Sequence, residues 1–159
     1  MQKISPFLWF EHQAEEAVAL YTSVFKDARI LSMERYPEGS HGEAGTVMTV
    51  EFELFGQTFT ALNGGPYEPF TSAVSFVVRC ADQAEVDRYW EMLSAGGKVE
   101  QCGWLRDRYG VTWQIVPEAL FELFSDPDPE KVRRVNEAML KMVKLDIAAL
   151  RRARDGEAG

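Results

Sequence analysis

The chain repeats itself, and the repeat holds at both ends of one unit. Moving the segment around Ala17 forward by 69 positions lays Ala17, Leu20, Tyr21 and Val24 on Val86, Tyr89, Trp90 and Leu93, and lays Phe7 on Phe76. Moving Gly56-Gln-Thr-Phe-Thr-Ala-Leu forward by 54 lays it on Gly110-Val-Thr-Trp-Gln-Ile-Val. Two matches in consistent order mean that one supersecondary unit is built twice.

Periodicity says what the unit contains. Residues 3–10 read as a short strand, and 14–25 as a helix with apolar residues at helical spacing. Residues 28–36, 46–55 and 57–62 follow as strands; Met48, Val50, Phe52 and Leu54 alternate with Thr49, Glu51 and Glu53, the pattern of a half-buried strand. The loops at 37–45 and 63–72 are rich in Gly, Pro and Glu. The order then restarts: a strand at 73–80, a helix at 82–95 with Asp82 as its N-cap and Gly96 or Gly97 as its stop, and strands at 98–105 and 111–116. The expected fold is α+β: two βαβββ modules, residues 1–65 and 72–117, forming a curved mixed sheet in one domain. A helical extension covers 118–159, with a short helix at 118–124, a stop at Asp126-Pro-Asp-Pro129 and one long helix at 130–153. Val132, Val135, Met139, Met142 and Val143 form its apolar stripe. That stripe suits either packing across the protein's own sheet or a partner surface.

Charge and composition exclude several roles. A net charge of −8 argues against nucleic acid, whose phosphates call for a basic surface. The one basic cluster, Arg151-Arg152-Ala153-Arg154, suits the negative end of a helix dipole. No apolar run approaches membrane-spanning length, and the N-terminus lacks the pattern of a secretory signal, so a cytoplasmic location is expected. Cys80 and Cys102 are too few for a disulfide framework or zinc site and read as reduced, buried side chains.

The segment CGWLRDRYGVTWQIVP, 102–117, reads as a hairpin turning at Asp107–Gly110. With Arg108-Tyr109 at a two-residue tip, Trp104 pairs with Trp113 on the core side and Gly103 lies opposite Gln114. Gln114 is then an amide among hydrophobic neighbours, placed to hold a metal, to hold a ligand, or to bond neighbouring backbone.

The stretches AEEAVALYTSVF, FELFGQTFTALNGGP, AVSFVVRCADQAEVDRYWEMLSAGG and CGWLRDRYGVTWQIVP, with the tail AMLKMVKLDIAAL, resemble the PhnB-like branch of the vicinal oxygen chelate superfamily. That superfamily includes glyoxalase I, bleomycin-resistance proteins and extradiol dioxygenases. The branch carries the domain label 3-demethylubiquinone-9 3-methyltransferase. The residues do not support that label: glycines at 39, 42, 45, 64 and 65 open no helix, as a conventional methyl-donor site requires.

The resemblance implies a homodimer and a cup of curved sheet holding a divalent metal on His and Glu. Carried over by position, the ligand sites fall at Pro6, Thr60, Ser75 (or Ala73) and Gln114. Proline and alanine offer no side-chain donor, and hydroxyls and an amide are weak ligands for a transition metal. The expectation is therefore a cup without metal or other cofactor, lined by Gln114, Thr60, Ser75, Thr112, Val77 and Leu8. It would bind a small organic molecule. The alternative is a glyoxalase- or dioxygenase-type enzyme with a divergent metal site around Gln114. Arg79, after the 73–78 strand, reads as a surface arginine.

Overall fold

A computed structural model of the chain describes residues 2–66 and 68–157. Tyr67, within the expected loop at 63–72, lies outside the described residues. The chain divides into two compact units, 1–70 and 71–159. The first runs β1 (Phe7–Phe10), α1 (Ala14–Val24), β2 (Ala28–Arg35), β3 (Val47–Leu54) and β4 (Gln57–Asn63). The second runs β5 (Phe76–Cys80), α2 (Gln83–Ser94), β6 (Lys98–Val99), β7 (Trp104–Arg106) and β8 (Thr112–Pro117). Three helices follow: α3 (Glu118–Phe124), α4 (Pro129–Leu140) and α5 (Ile147–Arg154). The sheets share one strand order, β1-β4-β3-β2 and β5-β8-β7-β6. The first two strands in each order run parallel and the rest antiparallel. The fold is α+β, with two βαβββ repeats.

In the first unit the alternation in β3 does what period 2 requires. Val50, Phe52 and Leu54 are buried while Thr49, Glu51 and Glu53 are half-buried. Tyr21 of α1 meets Phe52 at 6.1 Å between ring centroids, which fixes the face that the helix covers. Leu8 and Ala61 are register partners on that face, both buried. Phe55-Gly56 joins β3 to β4 with φ of 48° and 78°, the left-handed pair of a two-residue turn. A phenylalanine resists that conformation; its ring lies edge-on to Phe25 at 5.6 Å, which compensates.

Three expectations are corrected in the second unit. The strand expected at 98–105 is a hairpin of its own, β6 pairing back on β7 through Val99↔Leu105. Cys102 and Gly103 carry φ of 60° and 83° at its turn, and their N–H groups donate to Met142 O and Val143 O. The long helix expected at 130–153 is two helices. Those two carbonyls accept from the turn instead of from a continuing helix. Leu145 is fully buried and Asp146 caps α5, accepting from Ala149 N at 2.9 Å. The apolar stripe was split accordingly: Val135 joins Val116, Leu120, Leu123, Leu145 and Leu150 in one cluster, with Met139 and Met142 packed against it.

The third correction is register. Trp104 pairs with Gln114, Leu105 with Trp113 and Arg106 with Thr112. The loop contains three residues rather than two, because Gly110 adopts φ 90° and takes the left-handed position of the longer turn. A one-residue slip moves each side chain to the other face. Trp113 is buried as expected, whereas Trp104 lies half-buried on the face of Gln114.

Candidate functional site on the second sheet

The hairpin register is held from inside by Asp107, 3% exposed. Its Oδ1 accepts from Tyr109 N at 2.9 Å and Val111 N at 3.1 Å, and its Oδ2 accepts from Trp113 Nε1 at 2.9 Å. With β8 so fixed, Trp113 and Ile115 point to the buried face. Alternation puts Thr112, Gln114 and Val116 on the other.

That other face brings together four of the residues expected from sequence. Gln114 Nε2 donates to Ser75 Oγ at 2.9 Å, just before β5. Val77, the parallel partner of Gln114, is 49% exposed. Thr112 is 1% exposed, and its Oγ1 has no hydrogen-bond partner among the described residues. An unpaired buried hydroxyl is uncommon, since burial without a partner costs about 1–3 kcal/mol. Sequence reasoning missed Trp104 and Arg106 because the register was off by one; Gly110 was the signal. Arg106 lies across from Thr112, its Nη2 donating to Ser72 Oγ at 3.3 Å. Its Nε is 3.2 Å from Glu100 Oε1, an ion pair too poorly aligned to count as a hydrogen bond. At the Val116 end, Arg79 stacks over Phe121 at 4.2 Å and lies 3.6 Å from Glu118. Its guanidinium is thus engaged by α3.

The remaining two expected residues belong to the first unit and part company there. Thr60 is half-buried and pairs with Phe7, on the face away from α1. Leu8 is 7% exposed on the α1 face, opposite to Thr60, as a core residue.

A metal does not suit these positions. The Gln114 amide is neutral, and its NH₂ group donates to Ser75, so it brings no charge to a metal. Among the described residues no three His, Cys, Asp or Glu side chains converge as metal ligands. Cys80 is fully buried and its thiol is pushed up to about 12, chiefly by desolvation and then by Glu85 and Asp82, so it is not a nucleophile near neutral pH. Cys102 is half-buried, and neither cysteine is in a disulfide. Among the described residues no helix is long and apolar enough to cross a membrane.

Comparisons with known proteins agree with this architecture. The family model described as 3-demethylubiquinone-9 3-methyltransferase matches residues 2–116. A solved PhnB protein from Bacillus cereus with the same description is 38% identical, with TM-score 0.67, over 73% of this chain and 99% of that one. The structure of PA1353 from Pseudomonas aeruginosa is 22% identical, with TM-score 0.62, over 74% and 98%. The fosfomycin resistance protein FosX from Listeria monocytogenes is similar in fold: 14% identity and TM-score 0.52 over 77% and 97%. No curated protein matches. The matched stretch ends at residue 116, so the tail AMLKMVKLDIAAL and all of α3–α5 lie beyond it.

Proposed function

The chain belongs to the family described as 3-demethylubiquinone-9 3-methyltransferase, and we propose that it is a member of the vicinal oxygen chelate superfamily, a cytoplasmic homodimer binding a small organic molecule on the open face of its second sheet. The carrying observation is the buried, unpartnered Thr112 hydroxyl beside Arg106 and the Ser75–Gln114 pair. A half-open apolar surface with a few convergent polar groups is the usual composition of a small-molecule site. A ligand with a hydrogen-bonding group at Thr112 would satisfy the orphan atom.

The family's description names a methyl transfer, which these residues do not support. The glycines at 39, 42 and 45 lie between β2 and β3, and Gly64-Gly65 follows β4 without opening a helix. A methyl-donor site of the doubly wound kind needs a glycine turn from strand into helix. The homodimer is supported by β2, an eight-residue strand that pairs only with β3 among the described residues. Ile30, Leu31 and Met33 on it are 44%, 41% and 46% exposed. An exposed apolar edge is a ready surface for a second copy.

The test is a thermal-shift screen of small organic molecules on the parent and a Thr112→Val variant. Hits whose stabilisation vanishes in the variant support the reading. Hits indifferent to Thr112 and Gln114 would remove it. Metal analysis runs alongside: stoichiometric metal lost on Gln114→Ala would replace this reading with a metal-dependent enzyme of the glyoxalase or dioxygenase kind. A monomeric mass at micromolar concentration would remove the dimer.

A further inference from the structure

Away from that sheet face, the first unit contains a cavity of about 390 Å³ where β1 and β4 end and α1 begins. Its walls are braced. Asn63, the last residue of β4, accepts from Ala14 N at 2.8 Å and donates to Glu15 Oε2 at 2.7 Å and Val47 O at 3.1 Å. Tyr36 Oη donates to Asn63 O at 2.5 Å, and Trp9 Nε1 donates to Gly65 O at 3.0 Å. Two lining glycines lie directly on aromatic rings. A Cβ on Gly42 would meet the Tyr36 ring at 2.5 Å, and one on Gly64 would meet the Trp9 indole at 2.3 Å. The 36–46 connection is therefore seated on Tyr36, with the His41 imidazole edge-on to the same ring at 5.5 Å.

The charged chemistry in this cavity has one sign. Glu11 and Glu15 line it, no Lys or Arg does among the described residues, and both of the chain's histidines are there. The partial positive charge at the start of α1 is answered by Glu15 and Glu16 in its first turn and by Asn63 on Ala14 N. The carboxylates therefore set the potential. A transition metal does not fit, because the four groups do not converge as a ligand set among the described residues. The volume lies in the range of small-molecule pockets. A carboxylate and an aromatic ring lining one pocket can recognise a small organic cation by charge and ring together.

We propose that this cavity is a separate binding site for a small protonated amine. Its ammonium group meets the Glu15 carboxylate, and its carbon body rests on the exposed His41 imidazole, which Tyr36 backs edge-on. Glu15 has acceptor capacity beyond its bond to Asn63, since a carboxylate offers about four lone-pair sites. Glu11 adds charge at the rim. The proposal is independent of the site around Gln114.

The experiment is an amide NMR titration of the full chain with ethanolammonium chloride, repeated with sodium acetate, phosphate and zinc chloride. Saturable shifts are expected at 11–15, 36, 41–47 and 63–65 with ethanolammonium and not with the anions. Glu15→Gln keeps an oxygen for Asn63 and should melt with the parent, yet bind about tenfold more weakly or worse through loss of the charge. Thr112→Val should bind like the parent. The proposal is overturned by an absence of saturable shifts, by acetate or phosphate binding as tightly, by zinc binding that requires both His12 and His41, or by unchanged binding in Glu15→Gln.

Discussion

Removing the Asp107 carboxylate tests whether one buried side chain sets the register of the second sheet. Asp107→Ala strands three donors: Tyr109 N, Val111 N and Trp113 Nε1. Tyr109 is half-buried, so water replaces its partner at little cost. Val111 and Trp113 are 2% and 3% exposed, where water does not reach. Each donor left unsatisfied in such a place costs about 1–3 kcal/mol, so the pair costs about 4 kcal/mol. A domain of this size holds about 5–15 kcal/mol in total, so the variant should still fold. Asp107→Asn should be milder, about 2 kcal/mol. Its one carbonyl oxygen still serves the backbone N–H groups, while its NH₂ faces another donor on Trp113. Urea unfolding followed by tryptophan fluorescence gives both values from the midpoint at constant slope. An Ala variant within 1 kcal/mol of the parent, or an Asn variant as costly as Ala, would refute the idea that Asp107 carries the register.

Thr112→Val replaces an unpartnered buried hydroxyl by a methyl of the same shape, so the unliganded protein should unfold at equal or slightly higher urea, by up to about 1 kcal/mol. A loss above 2 kcal/mol would show that the hydroxyl has a structural partner. With its thiol held up near 12 by burial, Cys80 should resist a disulfide reagent at pH 8 in the native protein and react only on unfolding, while half-buried Cys102 reacts first. Mass spectrometry of partly labelled protein decides the order. Asp87 is held below the ordinary carboxylate value by hydrogen bonds from Lys144 first and Gln83 next. A depressed folded-state value means that this contribution is fully present above the ordinary carboxylate range and fades as pH falls through the lowered value. In Lys144→Met, the NMR titration midpoint of Asp87 should move up; an unmoved midpoint would deny the 2.6 Å contact a role in solution.

The sequence was informative wherever a signal was local. Helical spacing located α1 and α2, Asp82 capped α2 as expected by accepting from Glu85 N, and α3 began at Glu118 as read. The errors came from partners distant in sequence. Nothing local at 100–103 says that its N–H groups will bond to carbonyls forty residues later, so a hairpin looked like one strand and two helices looked like one. The site suffered from the same blindness at finer scale. Gln114 and Ser75 follow from the repeat and from family positions, and Val77 and Thr112 as further cup-facing positions of the same strands, while Trp104 and Arg106 are hidden by a single extra loop residue. Leu8 shows the limit of alternation in a four-residue strand: too few positions exist to tell the buried face from the open one.

The family match stops at residue 116, but the packing does not. Val116 closes the matched stretch and is 6% exposed in one cluster with Leu120, Leu123, Val135, Leu145 and Leu150. The turn at Cys102 and Gly103 likewise sends its N–H groups into the 141–146 connection. Deleting the helices after residue 117 would uncover Val116 and remove the carbonyls that accept from Cys102 N and Gly103 N. A truncation at the end of the family match would therefore cut through a packed cluster and not through a linker.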